Sequence, residues 1–131
     1  MDVQGFHHLA IQVRDVEKVT AFYREVLGFS ELKRHHRPDG SLRSVWVEVP
    51  GGGFLALEEV SGEPEPGPFR HEQPGLFLLA FRIHPAARAR AVETLKGAGV
   101  ALEHETRWTV YVRDPEGNRV ALSHHPEDPV P

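Results

Sequence analysis

The chain carries nine histidines, the residues best suited to chemistry near neutral pH. An imidazole titrates near 6.5, so it can hold a metal, move a proton or anchor a ligand. Six of the nine form three adjacent pairs: His7-His8, His35-His36 and His124-His125. Neighbours on a strand point to opposite faces, so adjacency in sequence does not bring two rings together. His8 is the best candidate for a catalytic group, as a hydrogen-bonding residue or general base. It fits equally well as a satisfied structural histidine. His7, His35, His36, His71, His84 and His104 read as exposed or capping side chains. His125 shares a strand face with Ser123 and Ala121. There is no cysteine, which excludes disulfides, thiolate metal sites and a thiol nucleophile. No Ser-His-Asp order, glycine-rich phosphate loop or His-Glu-x-x-His motif is present.

The elements that must position these residues occur twice. Leu9-Ala10-Ile11-Gln12-Val13 returns as Leu79-Ala80-Phe81-Arg82-Ile83, and Phe54-Leu55-Ala56-Leu57-Glu58 returns as Arg119-Val120-Ala121-Leu122-Ser123. Residues 6–13 alternate as a strand. Asp15 reads as an N-cap, a helical stripe runs from Val16 to Leu27, and Gly28 closes it. Strands follow over about Ser30–His36, Arg43–Val49 and Phe54–Val60. The segment 61–74, rich in proline and glycine, reads as a stiff irregular linker. The order then repeats: a strand over Gly75–Ile83, a helix over Pro85–Lys96, and strands over Val100–Glu105, Thr109–Arg113 and Arg119–His125. Asp114-Pro115-Glu116-Gly117-Asn118 is the turn before the last strand.

The pattern predicts an α+β fold of two βαβββ modules, about 4–60 and 75–125, in one domain spanning 1–131. The modules should form a curved eight-stranded half-barrel around a cleft. Val45, Val47, Val49, Leu55 and Leu57 call for a helix to cover them, as do Val110, Val112, Val120 and Leu122. The opposite faces carry His8, Gln12, Trp46, Glu48, Ala56 and Glu58 in one module. In the other they carry Leu78, Arg82, Tyr111, Arg113, Ala121 and Ser123. Trp46 and Tyr111 hold equivalent positions, which favours a ligand cavity over a plain wet face. The expected ligand-binding set is His8, Gln12, Trp46, Glu58, Arg82, Tyr111 and Ser123. Glu48 with Arg113, and Glu58 with Arg82, read as polar groups that pair or orient a ligand.

Composition limits the partners. Net charge is −4 with scattered arginines, so no nucleic-acid footprint is expected. No apolar run is long enough to span a membrane and the first residues lack a signal-peptide pattern, so a cytoplasmic location is expected. Eleven prolines, one methionine and no cysteine suggest a thermophilic source.

His8-Leu9-Ala10-Ile11 with Val13, Asp15, Phe22-Tyr23 and Leu27-Gly28-Phe29 resembles the first module of the vicinal oxygen chelate superfamily. That group includes glyoxalase I, bleomycin-resistance proteins, fosfomycin-resistance enzymes and extradiol dioxygenases. Asp114 to Asn118 is similar to its signature turn. The resemblance implies a divalent metal (Mn, Ni, Zn or Fe) held by one residue from the first and last strands of each module. Those four positions fall on His8, Ala56, Leu78 and Ala121. Only His8 can coordinate, so the expectation is no metal and no cofactor, with His8 a vestigial position. The expected function is metal-independent binding or sequestration of an aromatic or polar organic compound by a homodimer. The alternative is a metal-dependent glyoxalase-like lyase or isomerase, or a dioxygenase, that uses His8.

Overall fold

A computed structural model describes residues 1–61, 72 and 74–130. Apart from Ser61, Glu72 and Pro74, the expected linker lies outside the described residues. The chain forms two compact units, Met1–Glu65 and Pro66–Pro131. Each contains a four-stranded mixed sheet and helical segments, an α+β architecture.

In the first unit the strands are β1 (His8–Val13), β2 (Ser30–His36), β3 (Leu42–Glu48) and β4 (Phe54–Glu59). Their order across the sheet is β1-β4-β3-β2, with β1 parallel to β4 and the other pairs antiparallel. Helix α1 (Val16–Ala21) starts where the sequence places it: the Asp15 carboxylate accepts the Lys18 N–H at 3.1 Å. The chain then widens into a π-helical turn, Phe22–Val26, in which the Leu27 N–H reaches the Phe22 carbonyl. The expected single helix over 16–27 is therefore two segments of different pitch. Gly28, at φ +80°, lets the Phe29 N–H return to the Tyr23 carbonyl at 2.9 Å. Val16, Val19, Phe22 and Tyr23 are buried, and so are Val45, Val47, Leu55 and Leu57 of the sheet. Helix α1 packs on β3 and β4, covering the apolar face as the alternation requires.

In the second unit the strands are β5 (Leu79–Arg82), β6 (His104–Glu105), β7 (Thr109–Arg113) and β8 (Arg119–Ser123), in the order β5-β8-β7-β6. The two sheets share one topology. Leu79 pairs with Val120 as Leu9 pairs with Leu55, so the repeat seen in the sequence is also a repeat of register. The expected strands over 75–83 and 100–105 shrink to four and two residues. Pro85 opens a 3₁₀ turn (Pro85–Ala87) that leads into helix α2 (Arg88–Gly97). The His84 ring accepts the Ala86 N–H at 3.1 Å, a true capping histidine.

The Asp114 turn is built by its buried carboxylate. One oxygen accepts the backbone N–H groups of Glu116 and Asn118, each at 2.9 Å; the other accepts the Asn118 side-chain amide at 2.8 Å. This fixes the entry of β8. No helix among the described residues is long and apolar enough to cross a membrane.

Candidate functional site

Strand register defines the polar face of the first sheet as three rows. His8, Phe54 and Glu48 form one row across β1, β4 and β3. Ala10, Ala56, Trp46 and Lys33 form the middle row, and Gln12, Glu58, Ser44 and His35 form the third. Directly opposed residues share a face with side chains about 5 Å apart, so four of the expected site residues (His8, Gln12, Trp46 and Glu58) lie on one surface. The other three (Arg82, Tyr111 and Ser123) lie on the corresponding surface of the second sheet.

Aromatic rings run across the first face. His8 stacks on Phe54 with centroids 4.9 Å apart and planes 11° from parallel. Phe54 stacks on Trp46 at 4.6 Å, and the His35 ring tilts against Trp46 at 4.6 Å. Ala10 and Ala56 share the row of Trp46 and contribute only single methyl groups to it; Ala56 is buried.

Two sequence expectations are corrected here. His7 precedes β1 and escapes the alternation that would turn it away from His8. Its Nδ1 lies 2.8 Å from the Nδ1 of His8, one imidazole donating to the other. The backbone of His7 itself runs close to Gly53: at φ +77°, a Cβ there would stand 3.2 Å from the His7 carbonyl oxygen. His35 is not a simple exposed histidine but part of the ring row. The register shifts between Glu31 and Lys33 and between His35 and His36 turn it onto this face, which simple alternation cannot reveal.

Three buried polar atoms on this face have no hydrogen-bond partner among the described residues: Trp46 Nε1, Ser44 Oγ and His35 Nε2. Ser44 is completely buried. Such groups carry a desolvation cost of about 1–3 kcal/mol each unless something supplies a partner. Phe54 and Ser44 were absent from the expected set. Both follow from period-two alternation with Ala56 and Trp46, so the signal was present in the sequence.

The second face is furnished differently. Arg119 stands at the position equivalent to Phe54, and its guanidinium lies 4.2 Å over the Tyr111 ring and 5.2 Å over Phe77. Glu103 binds the Arg113 guanidinium through both carboxylate oxygens and lies 3.5 Å from Arg119. Hydrogen bonding to Arg113 holds the Glu103 carboxyl below the usual carboxylate range. Partial desolvation opposes this, and the charges of Arg113 and Arg119 add to it. Ser123 Oγ pairs with Thr109 Oγ at 2.8 Å. Arg82 is exposed on β5, and Leu78 precedes it with an aliphatic side chain. His125 is exposed with its ring edge-on to Trp108, whereas His124 is buried, bonded to the Glu127 carbonyl and to Arg88.

A divalent metal does not fit this donor set. Ala56 and Ala121 offer methyl groups and Leu78 an isobutyl group. His8 has its Nδ1 engaged by His7. Among the described residues, no three His, Asp or Glu side chains come together where an ion could be held.

Comparison with known proteins places the fold in a family. A family model described as Glyoxalase/Bleomycin resistance protein/Dioxygenase superfamily matches residues 5–122. The Bacillus subtilis (strain 168) protein YwkD, described as uncharacterized, is 30% identical over 103 residues, covering 79% of this chain and 78% of that one. A glyoxalase/dioxygenase from Nostoc punctiforme superposes with a TM-score of 0.79 at 25% identity, covering 95% of this chain and 92% of that one. The fosfomycin resistance protein FosX from Listeria monocytogenes, solved with Mn(II) and sulfate, shares the fold. Its TM-score is 0.70 at 22% identity, with 94% of this chain and 93% of that one covered.

Proposed function

Because the chain belongs to the Glyoxalase/Bleomycin resistance protein/Dioxygenase superfamily, we propose that it binds a small organic molecule without using a metal. The ligand is an aromatic or polar compound held against the ring-lined face of the first unit. The observation that carries this reading is the run of ring contacts His8–Phe54–Trp46–His35, which crosses the three rows beside Ala56, where the resemblance calls for a metal-ligating carboxylate or imidazole. Stacked rings give a flat ligand a large contact area at small entropic cost. Gln12 and Glu58 supply polar contacts on the same face. On the second unit Arg82, Tyr111 and Ser123 are the corresponding contacts.

The protein acts as a cytoplasmic homodimer in this reading. Support for a second copy comes from exposed apolar side chains at equivalent entries to the two sheets, Phe6 before β1 and Leu76 and Phe77 before β5. The competing reading is a metal-dependent lyase, isomerase or dioxygenase built on His8. It draws support from His8, the one position of the four implied by the resemblance that keeps a donor.

The test is fluorescence titration of the Trp108→Phe variant, in which Trp46 is the single tryptophan. A panel of planar aromatic compounds is titrated with and without EDTA. Saturable quenching that EDTA leaves unchanged supports the proposal. Quenching that requires an added divalent ion supports the metal-dependent reading.

A further inference from the structure

The third row of the first face, His35, Ser44, Glu58 and Gln12, is polar on all four strands. A plain solvated row would keep its polar atoms in water. Here Ser44 Oγ and His35 Nε2 are buried and unpartnered, as is Nε1 of Trp46, whose ring packs against His35. The indole N–H can only donate; the hydroxyl and the imidazole can donate as well. One obligate donor, the Trp46 indole from the neighbouring row, and two groups able to donate lie together at this end of the face, an arrangement that an acceptor would satisfy.

The other end of the row has the opposite character. Glu58 is paired in register with Ser44, and Gln12 with Glu58. An ionised carboxylate only accepts, and the Gln12 carbonyl adds a second acceptor. The row therefore runs from donors to acceptors along one line, beside the stacking surface of Trp46 and Phe54.

Resting on the ligand-binding reading above, we propose that this row reads the hydrogen-bonding edge of a stacked ligand. It selects neutral planar compounds whose edge carries an acceptor next to a donor: a carboxamide, a lactam or an amide-bearing heterocycle. The C=O group meets Trp46, Ser44 and His35, and the N–H group meets Glu58. An organic anion would satisfy the donors but face the Glu58 carboxylate. An organic cation would satisfy Glu58 but leave the buried donors unpartnered, which is the costly outcome.

Benzamide, benzoate and benzylammonium share one ring and differ in the head group, so they separate these cases. Each is titrated into ¹⁵N-labelled protein, with the Trp46 indole N–H signal assigned by its loss in Trp46→Phe. Benzamide should shift that signal and bind about fivefold or more tightly than either charged analogue. Ser44→Ala and Glu58→Gln should each weaken benzamide by about threefold to tenfold while the rest of the amide spectrum stays in place. Preference for benzylammonium, or a benzamide affinity unmoved in both variants, overturns this inference and leaves the ligand-binding reading standing. Equal affinity for the three head groups, the result if ordered water already satisfies the row, overturns it too. No shift of the Trp46 signal with any of the three also overturns it, and the fluorescence panel then decides separately whether the face binds other compounds.

Discussion

The guanidinium of Arg119 lies 4.2 Å above the ring of Tyr111, and the equivalent two positions of the first unit hold Phe54 and Trp46 with centroids 4.6 Å apart. One repeated pair of sheet positions has thus been put to two uses. In the second unit a cation covers the aromatic ring, and Glu103 balances the cation. In the first unit the aromatic pair carries no such cover from the described residues. In the proposed reading the first unit offers the open stacking surface, and the second contributes contacts around a ring already covered by a cation.

Phe54 is the ring that joins His8 to Trp46. Phe54→Ala should lower unfolding stability by about 1–2 kcal/mol, a modest loss for a half-buried aromatic. It should weaken ligand quenching of Trp46 by about tenfold. Arg119→Met should instead cost stability and leave that quenching unchanged. Urea denaturation and fluorescence titration on the two variants separate the roles.

Glu103 gives stability a defined pH dependence. Its carboxyl titrates lower in the folded protein than in the unfolded chain, chiefly because Arg113 binds the ionised form. The contribution is complete above the ordinary glutamate range and is lost as pH falls through the folded value. Glu103→Gln should therefore cost about 1 kcal/mol at neutral pH and flatten the acid limb of stability against pH. Denaturation midpoints measured down to about pH 3 check the sign.

The Asp114 turn should be among the least replaceable surface-loop features. Its carboxylate is buried and accepts three hydrogen bonds that set the start of β8. Asp114→Ala should cost about 2–3 kcal/mol, because two backbone N–H groups lose their acceptor. Asp39, whose carboxylate accepts from Ser41 in the exposed turn before β3, is the control and should cost far less. Thermal unfolding of the two variants makes the comparison.

Much of this arrangement is legible in the residues alone, for physical reasons that also mark where legibility ends. Period-two alternation put His8, Gln12, Trp46 and Glu58 on one face, and the register bears this out. Asp15 announced its helix because a capping carboxylate leaves a local signature. His35 was misread because a bulge inverts facing without changing composition. His7 is exposed as expected, but its contact with His8 escaped the alternation argument, which holds only inside a strand, and β1 begins at His8. The Glu103–Arg113 pair joins β7 to the residue just before β6, so only the folded chain brings it into view. The short span of β5 was hidden by apolar residues 76–78, which read as strand by composition but lie outside it.

The central claim is that the first face binds its ligand without a metal, and metal content tests it most directly. The protein is purified without chelators or an affinity metal, and Mn, Fe, Ni and Zn are measured by mass spectrometry against protein concentration. The account predicts far less than one equivalent of any of them, because Ala56, Leu78 and Ala121 supply no donor and His8 alone holds no divalent ion against water. About one equivalent per chain, lost on His8→Ala, would contradict it.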